Sequence, residues 1–97
     1  MHKDINTPIV NNLYNTIAGI KTTEECQAFF EDICTINEIL SLSQRLEVAR
    51  LLRENKTYIE IAEATKASTA TISRVNRSLN YGNGSFDKIF KNNKNNS

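Results

Sequence analysis

Residues 58–75 read Tyr58-Ile-Glu-Ile-Ala-Glu-Ala-Thr-Lys-Ala-Ser-Thr-Ala-Thr-Ile-Ser-Arg-Val75, and this stretch decides the fold. Ile61, Ala62 and Thr65 share one face of a short helix, and Ile72, Val75 and Leu79 share one face of a second. Only Lys66 and Ala67 remain for the turn between them. Ala62 is the small side chain needed where two helices cross at a steep angle. Ile61, Ala67, Ile72 and Val75 would then fill the wedge. The spacing predicts a helix-turn-helix at about 58–79.

The second of these helices opens with Ser68 as its N-cap and then presents Thr69, Ala70 and Thr71. Short side chains at such a tip let the backbone approach base edges in a major groove, where a Thr or Ala methyl can pack on a thymine methyl. Ser73, Arg74 and Arg77 follow where donors can meet phosphate, and Lys66 guards the turn. Tyr58, at the head of the first helix, joins this set of candidate DNA-binding residues. The positive N-terminal end of the second helix adds attraction for an anion. The bland reading of the same residues is an αα-hairpin within a helical bundle.

Outward from this segment the chain keeps helical periodicity. Ile9, Leu13, Ile17 and Ile20 line one face, joined by Val10 and Tyr14; Cys26, Phe29, Phe30, Ile33 and Cys34 line another. Ile36, Ile39 and Leu40 make a short third face, and Leu42, Leu46, Ala49 and Leu52 a broad fourth with Val48 and Leu51. A hydroxyl residue precedes Glu or Gln by three at Thr22/Glu25, Thr35/Glu38, Ser41/Gln44 and Thr57/Glu60, the capping-box spacing. Helices are therefore expected near 8–20, 23–34, 36–41, 43–54, 57–64 and 68–79. A turn with Gly82 and Gly84 follows, and Ser85 caps a last short helix that docks through Phe86, Ile89 and Phe90. The ending 91–97 is polar and low in complexity, and disorder is expected there. The fold class is all-α, with residues 1–90 as one helical DNA-binding domain. A chain this short has little interior to hide the wide apolar faces of its first and fourth helices, which favours an interlocked homodimer.

Charge is divided unevenly. Residues 1–65 carry a net −4 and residues 66–97 a net +5, with Asp87 the only acid in the second part. The basic part is the expected face for a polyanion. No stretch approaches the apolar length of a membrane span, and MHKDINTPIV is not a signal peptide. Cys26 and Cys34 would lie about 12 Å apart on one helix, too far for a disulfide, which fits reduced thiols and a cytoplasmic location. His2 is the sole histidine, so neither a metal site nor a Ser-His triad has its raw material, and no enzyme activity is expected.

The run Arg45-Leu-Glu-Val-Ala-Arg-Leu-Leu-Arg53, then Thr57-Tyr-Ile-Glu-Ile-Ala62, Ala70-Thr-Ile-Ser-Arg74 and Asn76-Arg-Ser-Leu79, resembles the Trp repressor superfamily. Within it, the chain looks most like the Trp-repressor-like YerC/YecD group, over roughly Ile9 to Phe90. The resemblance implies an all-helical homodimer with interlocked N-terminal helices and two reading heads on successive major grooves of a palindromic operator. Such helix-turn-helices usually carry glycine in a left-handed turn where this chain has Lys66, a departure costing about 1 kcal/mol.

The resemblance also implies a corepressor site in which an indole lies between two arginines. One maps onto Arg74; the other maps onto Arg45 or Gln44, depending on which end of the central helix is aligned. Ser78 matches the serine that meets the ligand's amino group, and Thr35 a threonine beside the ligand. Val75 replaces a glycine that leaves space beside the ring, and its three added carbons are expected to close the slot to tryptophan. Another small molecule, or none, is then expected. The function implied is a sequence-specific transcriptional regulator, repressor-like, with double-stranded DNA as partner; the alternative is a helical protein-interaction module in which the helix-turn-helix is structural.

Overall fold

In the computed structural model, which describes residues 5–95, the chain forms six helices and no strand among those residues. They are α1 (Pro8–Ala18), α2 (Thr23–Ile33), α3 (Ile36–Arg53), α4 (Tyr58–Thr65), α5 (Thr69–Tyr81) and α6 (Ser85–Asn95). Most helix starts follow the hydroxyl residues. The Thr7 hydroxyl accepts from the Val10 amide at 3.2 Å ahead of Pro8, whose missing N–H costs nothing in a first turn. Thr22 caps α2 through the Glu25 amide at 3.1 Å. Thr35/Glu38 and Thr57/Glu60 form complete reciprocal boxes, with paired distances of 2.8 and 3.1 Å and of 2.9 and 3.1 Å.

The fourth expected box does not form. Residues 36–53 make one continuous helix rather than two, because neither glycine nor proline interrupts them and Ser41 has no chain break to cap. Gln44 instead sends its side-chain amide to the Thr65 carbonyl at 3.0 Å, 21 residues away. The final helix also runs further than expected. Residues 91–95 continue α6 instead of starting a disordered tail; 96 and 97 lie outside the described residues.

Packing divides the chain into two units, Met1–Ile39 and Leu40–Ser97. In the first, α1 and α2 bury no residue at all. Phe29 and Phe30 meet edge to face with centroids 5.6 Å apart, and Ile9, Val10, Leu13, Thr16, Phe29 and Ile33 border an open apolar groove of about 370 Å³. Cys26 and Cys34 are free thiols, both half-buried.

The second unit has a true core. Val48, Ala49 and Leu51 of α3 pack with Ile61 of α4, Ala67 of the turn, and Ile72, Val75 and Leu79 of α5. Phe86 and Phe90 of α6 stack on each other, 6.1 Å apart, against this cluster. Arg53 then ties three helices together. Its guanidinium donates to both Asp87 oxygens at 2.7 and 3.0 Å and to the Leu79 carbonyl at 3.1 Å. The pairing holds the Asp87 carboxyl below its ordinary range. No helix among the described residues is long and apolar enough to cross a membrane.

Candidate nucleic-acid interface

The expected helix-turn-helix is present as α4, a turn at residues 66–68, and α5. Lys66 adopts the left-handed conformation, φ 62° and ψ 16°, and its amide donates to the Ala62 carbonyl at 2.8 Å. The strain is offset by a knot of hydrogen bonds around Thr65. Its hydroxyl donates to the Ile61 carbonyl at 2.7 Å and accepts from the Ala67 amide at 3.2 Å, while Gln44 takes up its carbonyl. An orphan carbonyl at a helix end is thereby satisfied from α3. Ile61 and Ala67 are buried beneath the turn, so the angle between the two helices is set by packing as well.

Ser68 caps α5: its hydroxyl accepts from the Thr71 amide and donates to the Thr71 hydroxyl, both at 3.1 Å. Thr69, Ala70, Ser73, Arg74 and Arg77 are all exposed, whereas Ile72, Val75 and Leu79 on the far side of the same helix are buried. Thr71 departs from the expected exposed tip. It is half-buried, and its hydroxyl completes the cap. Lys66 is exposed beside the turn, and Tyr58, on the first turn of α4, is exposed next to Ile59. The Thr57 amide and hydroxyl hold the Glu60 carboxyl below its usual range, so this box is anionic at neutral pH.

Three of the candidate ligand residues come together. Arg45, Arg74 and Ser78 border a cavity of about 280 Å³ with Leu42, Leu46, Val75 and Phe86. Arg45 and Gln44 both come near Arg74, in an adjoining polar pocket with Ser41 and Thr71, and Gln44 also holds the Thr65 carbonyl. Val75 is 4% exposed, turned largely into the core, and it also borders this cavity. The Ser78 hydroxyl donates to the Arg74 carbonyl at 3.3 Å. Thr35 belongs to the other unit, where its hydroxyl caps α3. Among the described residues no three His, Cys, Asp or Glu side chains gather where they could hold a metal ion.

Two supports escaped sequence reading, the Gln44–Thr65 bond and the Arg53–Asp87 clasp, because partners 21 and 34 residues apart follow no local period. One hint existed for the second. Asp87 is the only acid after residue 65, and a lone acid in a basic stretch invites a search for its cation.

Comparison with known proteins agrees with this architecture. The chain is 60% identical over 78 residues to the "uncharacterized protein YerC" of Bacillus subtilis, covering 80% of this chain and 75% of that one. A solved TrpR-like protein from Eubacterium eligens superposes with a TM-score of 0.87 at 60% identity, over 91% of each chain. A solved putative Trp repressor from Staphylococcus aureus gives 0.89 at 43% identity, over 93% of this chain and 90% of its own. The family model for the Trp repressor protein matches residues 9–94. The chain belongs to the Trp repressor family.

Proposed function

We propose that this protein is a sequence-specific transcriptional regulator of repressor type that binds double-stranded DNA in the cytoplasm as a homodimer. One observation carries the reading: Thr69, Ala70 and Ser73 stand out from a capped helix beside Arg74 and Arg77, while the opposite face of that helix is locked in the core. Short groups flanked by guanidiniums suit a major groove and its phosphate walls. The dimer is supported by the first unit, whose Ile9, Leu13, Ile33 and Ile36 are exposed to a degree that a second copy would relieve. The cavity at Arg45, Arg74 and Ser78 offers a small modulating ligand two guanidiniums for an anionic group and apolar walls for its body.

Duplex binding measured across salt concentrations tests the reading. The logarithm of affinity should fall with the logarithm of salt, with a slope of about −0.9 for each phosphate neutralised. Thr69→Ala should relax sequence preference, whereas Arg77→Ala should weaken all duplexes alike and reduce the slope by about 1. Parent-like DNA binding by both variants would remove α5 from the interface.

A further inference from the structure

Tyr81 ends α5 with 86% of its surface exposed. Its phenol has no hydrogen bond and no ring partner among the described residues. An aromatic side chain standing so freely in water has no role in the core, so its position along the helix matters.

A helix turns about 100° per residue, so Ala70, Ser73, Arg77 and Tyr81, spaced by three and four, form one ridge. That ridge lies opposite Ile72, Val75 and Leu79, which are buried. The core that aims Ser73 and Arg77 outward therefore aims Tyr81 the same way. At about 1.5 Å per residue, Tyr81 lies about 16 Å along the axis from Ala70, beyond the major groove's width of about 12 Å. With Ala70 at the base edges and the axis of α5 crossing the groove, the last turn of the helix would lie beyond the groove, at the level of the sugar-phosphate backbone. Phosphate oxygens there only accept hydrogen bonds, and a phenol hydroxyl can donate one. The helix ends directly afterwards at Gly82, where the backbone leaves no room for a Cβ beside the Ser78 carbonyl, so the ridge ends on Tyr81.

We propose that Tyr81 is a further duplex contact, its hydroxyl donating to a backbone phosphate outside the groove that the first turn of α5 reads. The contact rests on the proposed function and extends it by naming a residue that fixes register and carries no base preference. It differs from Arg77 in bringing no charge to the duplex.

The test uses the full chain, with Tyr81→Phe and Tyr81→Ala measured on a preferred and an unrelated duplex over a range of salt. Both variants should keep the parent's thermal midpoint, because so exposed a side chain supports nothing in the fold. Tyr81→Phe should weaken both duplexes about tenfold, the scale of a hydrogen bond to a charged group. The preference ratio and the salt slope should stay at the parent's values, since no counterion release is lost. Parent-like binding by Tyr81→Phe overturns the proposal, and so does a loss confined to the preferred duplex. A Tyr81→Ala defect with Tyr81→Phe intact also overturns it, by pointing to the ring instead of the hydroxyl. Should the parent chain itself bind no duplex, the proposed function falls first.

Discussion

Ile9 and Ile61 are the same residue on helical faces of one chain, yet Ile9 is 84% exposed and Ile61 not at all. The contrast extends to the units that hold them. Residues 40–95 enclose Val48, Ile61 and Ile72 completely, whereas residues 5–39 enclose nothing. Both units have capped helices and apolar stripes, so local propensity does not separate them. What separates them is the number of surfaces available: three helices and a turn converge on Ile61, but α1 and α2 offer Ile9 only an open groove. A unit with a closed core is thus joined to one that has none, and the proposed dimer would supply a covering surface.

The contrast can be broken at either end. The largest effect is expected at the head. Ile61→Ala should cost about 2–5 kcal/mol in chemical denaturation, the range for emptying a closed core site. A loss well under 1 kcal/mol would mean that the head is not closed. Aspartates at Ile9 and Leu13 come next. If those faces meet a second copy, sedimentation should show a monomer whose thermal midpoint no longer depends on concentration. A double variant that remains dimeric would assign the interface to another face.

Smaller changes sharpen the account of the turn. Ser68→Ala should cost about 1 kcal/mol by uncapping α5. Lys66→Gly should act with the opposite sign, gaining up to about 1 kcal/mol by relieving the left-handed backbone. The two variants bracket the same turn, and equal signs in a denaturation assay would contradict its geometry.

The smallest effect is with pH. Glu38 and Glu60 are held below their ordinary values first by the Thr35 and Thr57 amides, and Asp87 by Arg53. A depressed carboxyl stabilises the folded chain above its unfolded value, about 4.3 for Glu and 3.9 for Asp, and the contribution is lost as pH falls through the lower folded value. The thermal midpoint should stay level from pH 7 to about 5 and drop below about 4. Glu60→Gln keeps a hydrogen-bonding partner for the Thr57 amide but no charge, and should flatten part of that drop.

What the sequence revealed follows the range of the interactions involved. Caps, periodicity and the turn at Lys66 are set by neighbours within four residues, and the helix-turn-helix could be read from residues 58–79 with nothing else. The same local signals misled at Ser41/Gln44, where the capping-box spacing occurs inside an unbroken helix because Gln44 serves a distant carbonyl. They misled again at residues 91–95, where polar composition suggested disorder although Phe86 and Phe90 anchor the helix they continue. For the candidate site, exposure of Thr69, Ala70, Ser73, Arg74 and Arg77 followed from the buried face opposite them. The withdrawal of Thr71 into the cap depended on side-chain directions that spacing does not encode.

Selection of random duplexes by the intact protein tests the central claim most directly, with the stoichiometry of the selected complex measured alongside. Two heads carried on a two-fold dimer should enrich a palindrome whose half-sites lie about one helical turn, 34 Å, apart, bound by two protomers. Enrichment of a single unrepeated site held by one protomer, or no enrichment above non-specific binding, would contradict it.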